Sequence, residues 1–398
     1  GGNPFFVEQL LRRLQADELI TSEGSGWRVD LRAVEQSDLS DHVAELLQQD
    51  LDRLPPGTQQ ALALAACLGA RFALDQLADA LQISRSAACD ALEPAVARGL
   101  LIALDEAWRY RDPAGGRVHH RFAHDRIREA AYGSIPASER SARHVAIARQ
   151  LTQDLEAHPE RLLDVVGHYE RGLALVTPSE APAVAALFGR AARRALDTVA
   201  TATAATLSRD GLALLGSDPW SGAPDLARDL TLAAAEAAFL SGDLPAMEAA
   251  TDALLAHAST PDQRVDALEL RLHAFSHVAR HDDALDACCD ALAALGHPVP
   301  RRPSPLRGGL ELIAQSMRLR GFQPEDLAEL PPMNDPRMLR ALKVMLMVGA
   351  AAQARSPGMF ALVLARSVGL SIKHGLAPEA PLTYLSYGFA LSVVLGQR

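Results

Sequence analysis

The residues predict a mainly α protein, a winged helix followed by a TPR-like α-solenoid. Three observations carry this. Aromatics make up only 5% of the 398 residues while alanine and leucine dominate, a balance that favours helix over sheet. Residues 58–122 read as three helices in close succession and then two strands. Beyond residue 138 the pattern is helix pairs, two of which superpose at a shift of 38 residues.

The opening Gly1-Gly2-Asn3-Pro4 holds the backbone out of the α region. A helix follows, with apolar residues at Phe6, Leu10, Leu11 and Leu14. Leu19-Ile20-Thr21 and Trp27-Arg28-Val29 flank a Gly-rich turn and predict a hairpin. Ser40-Asp41 can cap the next helix, which Pro55-Pro56-Gly57 should stop.

The three helices are expected over Thr58 to Leu68, Leu74 to Leu81, and from a Ser84 cap to Gly99. Leu100 to Leu104 and Val118 to Phe122 then form a two-stranded wing around the turn at Asp112-Pro113. On the third helix Arg85 and Arg98 are offset by Asp90 and Glu93. The wing carries Arg109, Arg111, Arg117 and Arg121, with Asp105, Glu106 and Asp112 close by. This charge balance lacks the cationic cluster that nucleic-acid binding needs, and the chain as a whole carries −10, so no nucleic acid is expected as partner.

His124 and Asp125 open a helix, with His119 and His120 nearby. No nucleophile elbow or metal-ligand spacing accompanies them, so we read them as cap and packing residues. Met247 to Leu254 superposes on Leu285 to Leu292, and Leu207 to Leu212 is a weaker copy. Such pairs cannot bury their apolar faces alone and must stack. Residues 296–308 read as a Pro-rich basic connector, and Pro331 to Pro336 as a second break. Further helices run through Leu342, Phe360 and Leu370 and from about Ala380.

Cys67, Cys89, Cys288 and Cys289 show no zinc spacing and read as small core residues of a reducing compartment, which implies a cytoplasmic setting. No window of about 18 uncharged apolar residues exists, so no membrane span is expected. The sequence holds no G-x-x-x-x-G-K-S/T loop, no strand ending in paired acids and no kinase catalytic loop. It offers no catalytic site and no metal site of its own. The chain opens on Gly and closes on an apolar run, which we read as the marks of a fragment.

Several stretches resemble one family. Gly-Gly-Asn-Pro-Phe-Phe-x-x-Gln-Leu-Leu looks like the last nucleotide-proximal motif of STAND-class signalling ATPases. More narrowly it resembles the AAA-type ATPase region of bacterial multidomain kinases, which join a serine/threonine kinase-like domain, the ATPase, helical repeats, a GAF domain and a histidine kinase. Gly26 to Leu31, Leu54 to Gln59, Ala65 to Gly69, Phe122 to Ile127 and Ser371 to Glu379 fit the same pattern in the same order.

The resemblance implies three regions: 1–54 the end of the ATPase, 55–135 the winged helix, 136–398 TPR-like repeats. It implies that Pro4 packs near the adenine of ATP or ADP, with Gly2 and Asn3 shaping the turn, while Mg and the phosphates are held by an upstream nucleotide-binding domain of the same polypeptide. It also implies a protein or small-molecule ligand on the repeats. The parent would be an ATPase and protein kinase. The rival expectations are an ATP-dependent transcription regulator with the same modules but a C-terminal DNA-binding domain, and a TPR scaffold that binds proteins.

Overall fold

The computed structural model describes residues 11, 14–15, 19–23, 26–29, 31, 43–105, 118–323, 326–327 and 329–395. Among these lie 19 helices and two small antiparallel sheets, so the protein is mainly α. The chain divides into two compact units, Gly1–Thr177 and Pro178–Arg398.

In the first unit Ile20–Glu23 (β1) pairs antiparallel with Gly26–Val29 (β2), Ile20 opposite Val29 and Glu23 opposite Gly26. Helix α1, Val43–Asp52, leads to α2, Pro56–Leu68. The prolines do not merely stop one helix: Pro56 is inside the first turn of the next. Proline loses no hydrogen bond there and its fixed φ suits the helix start. Helix α3 is Leu74–Leu81, and α4, Arg85–Ala97, begins where the Ser84 hydroxyl accepts from the Ala87 N–H at 3.2 Å. Gly99 supplies the positive φ of +70° that ends it.

A three-stranded sheet closes this unit. Leu101–Ala103 (β4) and His119–Phe122 (β5) are the two expected strands. Arg71–Ala73 (β3) is an addition, pairing on the other side of β5 with Phe72 opposite His120. Three residues are too few to show a period of two, so pattern reading passes over them. Helices α5 (Asp125–Gly133), α6 (Ala137–Gln153) and α7 (Leu162–Glu170) follow, with α6 packed on α2 and α3 and α7 on α6. Leu62, Phe72, Leu77, Leu92, Leu101 and Ile127 form the buried centre.

The second unit starts with α8 (Ala181–Asp197), α9 (Thr201–Leu214), the short α10 (Pro219–Gly222), α11 (Pro224–Ser241) and α12 (Leu244–His257). Next come α13 (Pro261–His277), α14 (His281–Ala294) and α15 (Pro305–Leu319). The described helices end with α16 (Pro336–Met347), α17 (Gly349–Arg355), α18 (Pro357–His374) and α19 (Ala380–Leu395). From α8 to α14 each long helix packs on the next, and α8 also meets α11, α11 meets α13 and α13 meets α16. The 38-residue match holds in space: Met247, Thr251 and Leu254 are buried on α12, and their counterparts Leu285, Cys289 and Leu292 are buried on α14.

The turns inside the pairs repeat more faithfully than the sequence. Val199, Gly242 and Ala279 each adopt left-handed backbone, with φ of 59°, 80° and 59°. The next residue in each turn donates its N–H back into the preceding helix: Ala200 to Ala195, Asp243 to Ala238 and Arg280 to Phe275, at 2.8 to 2.9 Å. These bonds satisfy the last carbonyls of three helices in the same way. Only one of the three turns uses glycine, which hides the likeness of the turns from sequence comparison.

The stretch expected as a connector over 296–308 is a loop only in part. Ser304 caps α15 and Pro305 begins it, so its last four residues are helical. Around this start α15 crosses α18, with Pro303 and Gly308 buried while Ser304 to Arg307 stay exposed. A Cβ on Gly358 would lie 2.3 Å from the Pro303 carbonyl oxygen, and one on Gly308 would lie 2.4 Å from that of Gly358. Glycine at both positions permits backbone-to-backbone approach.

Two outcomes are expected. Gly358→Ala should lower stability by about 1–3 kcal/mol, since the clash is with backbone and not with a side chain that can swing away. Val199→Gly should raise it by about 0.5–1 kcal/mol, because left-handed strain in a branched residue outweighs the entropy cost of glycine. Urea unfolding followed by circular dichroism reads both.

Candidate functional site

Gly2, Asn3 and Pro4, the residues expected at the nucleotide edge, lie outside the described residues. So do Ser40, Asp41 and the wing residues Glu106, Arg109, Arg111, Asp112 and Arg117. The remaining candidates fall into two groups, one in each unit.

In the first unit His124 is the cap of α5: its Nδ1 accepts from the Arg126 N–H at 3.1 Å. Asp125 sits in the first turn, where a negative charge suits the helix dipole, 3.7 Å from Arg128. His119 and His120 point to opposite sides of β5. The His119 N–H donates to Asp105 Oδ2 at 2.8 Å, and this bond holds the Asp105 carboxyl below its usual range. His120 is buried against the Phe72 ring, 5.8 Å between centroids, and burial pushes its pKa down to about 4.

A buried polar chain joins the next three helices. Tyr132 Oη of α5 lies 3.0 Å from His144 Nε2 of α6, and His144 Nδ1 lies 2.9 Å from His168 Nδ1 of α7. Two neutral imidazoles satisfy this chain, one ring donating from Nδ1 and the other accepting. Burial pushes both histidines down to about 4; the His144 ring and then the Arg171 guanidinium add to the shift at His168. Cys67 is buried as well, and desolvation raises its thiol to about 11. A thiol held there stays protonated and is no nucleophile. This polar network fastens three helices together.

In the second unit a groove of about 270 Å³ runs between α12, α13 and α14. Its floor is Leu268, Phe275 and Ala287. Its rim is charged. Arg280 lies over the Phe275 ring at 4.4 Å and donates to Glu248 Oε1 and, at 2.6 Å, to Asp283 Oδ2. Arg271 donates to the Thr251 hydroxyl at 2.7 Å and to Asp252. Arg301 forks onto Asp286 and Asp290 at 2.7 and 2.5 Å. Acids outnumber arginines around the groove, so it presents negative potential above an apolar floor.

A second groove of about 380 Å³ lies between α11, α13 and α16. There Arg340 donates to Glu269 at 2.8 Å and to Asp266 at 2.6 Å, over a floor that includes Phe239, Leu270 and Met347. Both grooves can hold a ligand by charge and contact. Among the described residues no cluster of three His, Cys, Asp or Glu could bind a metal. All four cysteines are buried and free, and no described helix is long and apolar enough to cross a membrane.

Sequence reasoning missed these grooves because their ion pairs join distant positions; Arg280 and Glu248 are 32 residues apart. The available signal was Asp282, Asp283, Asp286 and Asp290, which helical spacing places along one side of α14.

Against known proteins, one stretch stands out. It is 28% identical over 103 residues, a quarter of this chain, to the hybrid signal transduction histidine kinase G of Dictyostelium discoideum. The chain spans 3% of that protein's length. No protein family matches the chain, and no solved structure does. The similarity is distant and links the chain to signal transduction at most.

The buried histidines make a pH prediction. Their folded pKa values, about 4, lie below the ordinary 6.5, so the unfolded chain binds more protons between these limits. Stability contributed by the neutral rings is therefore complete above about pH 6.5 and is lost as pH falls towards 4. Thermal melts across that range should show the loss, and His168→Gln should flatten it.

Proposed function

We propose that this chain is the regulatory and partner-sensing part of an ATP-binding signal-transduction protein, a multidomain protein kinase or sensor histidine kinase. The observation that carries the reading is the similarity to a hybrid histidine kinase. The order of the elements supports it: a hairpin, a three-helix module with a small sheet, then helix pairs.

In this reading residues 1–54 end an ATPase module, 55–135 are a winged helix, and 136–398 are a TPR-like α-solenoid. The three left-handed turns with matching hydrogen bonds support the repeat assignment. Pro4 lies against the adenine, with Gly2 and Asn3 shaping the turn. A separate part of the same polypeptide holds Mg and the phosphates, since no phosphate loop occurs here. The charged grooves of the second unit take a protein or small-molecule ligand. Nucleotide and ligand then bias one interface with two arrangements.

The rival reading is an ATP-dependent transcription regulator with the same modules and a C-terminal DNA-binding domain; the similarity to a hybrid histidine kinase favours the kinase reading.

The test is nucleotide binding, followed by fluorescence of a labelled ATP analogue. The 398 residues alone should show no ATP turnover. In the longer polypeptide Pro4→Ala should weaken binding about tenfold or more, roughly 1.4 kcal/mol, with melting temperature unchanged. Turnover by the isolated chain, or unchanged affinity in the variant, overturns the assignment.

A further inference from the structure

Helix α15 is apolar on two faces. Its inner face is committed: Gly308 abuts Gly358 and Ala361, Leu312 is buried, and the Leu312 carbonyl accepts from the Tyr387 hydroxyl at 2.9 Å. Its outer face is not. Leu306, Leu310, Ile313 and Met317 are exposed by 80, 68, 40 and 59%. A lone exposed leucine is ordinary, but four on one line are not.

Their spacing is four, three and four residues, the rhythm of a coiled-coil seam. At 3.6 residues per turn they fall within an arc of roughly 60°. That is too narrow for the broad stripe by which a helix beds into a core, and it fits the width of one partner helix.

The surroundings set the sign of the partner. Arg307 and Arg318 border one edge of the seam, and the exposed Arg302 and Arg320 stand near its two ends. Glu311 is the acid within α15, and its carboxylate lies 4.0 Å from Arg366. The chain as a whole carries −10, so this is a local reversal of charge. Two copies of the face would set arginine against arginine, which disfavours self-pairing.

We propose that the outer face of α15 is a docking seam for an acidic amphipathic α-helix of a partner protein. The partner supplies apolar residues at the same spacing, with Asp or Glu beside them. Apolar contact holds the complex, and the flanking arginines choose the partner and its register. The proposal rests on α15 alone, so it stands or falls independently of the function proposed above.

The experiment uses the whole chain and a labelled peptide of about three heptads, with Leu at the seam positions and Glu beside them. A matched peptide carries Lys in place of Glu. Fluorescence anisotropy should give a Kd on the order of micromolar for the Glu peptide and at least about tenfold weaker binding for the Lys peptide. Added salt should narrow that difference. Leu310→Ser with Met317→Ser should abolish binding with an unchanged melt, since both side chains are exposed. Arg307→Glu with Arg318→Glu should reverse the preference between the peptides. Equal binding of both peptides, or binding of neither, overturns the proposal. So does binding confined to phosphatidylserine vesicles, or a dimer that Leu310→Ser dissolves.

Discussion

An alanine-lined helix gains little from burial unless its neighbour comes close. One methyl is worth roughly 0.8 kcal/mol out of water, against about 1.5–3 for a leucine side chain. The second unit is built on this constraint. Ala191, Ala204, Ala235, Ala267, Ala284 and Ala291 are fully buried where successive helices meet. Glycine carries the principle further at Gly211, where a Cβ would fall 2.7 Å from Leu230, and at the Gly308–Gly358 crossing. Close approach raises the packing contribution of each small residue. The matching left-handed turns follow from it, because a pair packed this closely needs a short, sharply reversing connection.

The first unit solves a different problem. Its core takes in histidines and a tyrosine, which cost free energy inside unless hydrogen-bonded. Tyr132, His144 and His168 satisfy one another across three consecutive helices. His120 stacks on Phe72 within the sheet. Such groups are stable inside only as neutral rings, so stability in this unit is tied to proton concentration. The same burial that lowers these histidines raises the Cys67 thiol, and both effects remove chemistry from the interior.

What remains for function is surface. The described surface offers grooves with charged rims and apolar floors, and the outward seam of α15. The helix start at His124-Asp125, which in isolation could suggest catalysis, is occupied by capping. The distant similarity to a signalling histidine kinase links the chain to signal transduction at most.

The sequence by itself determined the elements. Periodicity and caps placed α2, α3, α4 and the strands β4 and β5, because those signals are local: a Ser84 cap, a Gly99 stop, an apolar stripe. The 38-residue match located α12 and α14 for the same reason. Only the tertiary structure decided what lies between elements. The strand Arg71–Ala73 is defined by pairing with β5, not by pattern. The start of α15 inside a Pro-rich run depended on which proline follows a cap. Val199 and Ala279 hide left-handed turns behind residues that seldom adopt them. Arg280 meets Glu248 across 32 residues, and His144 meets His168 across 24. Local signals act within a turn or two of helix, whereas grooves, buried networks and exposed seams arise from residues far apart in the chain, and only packing brings those together.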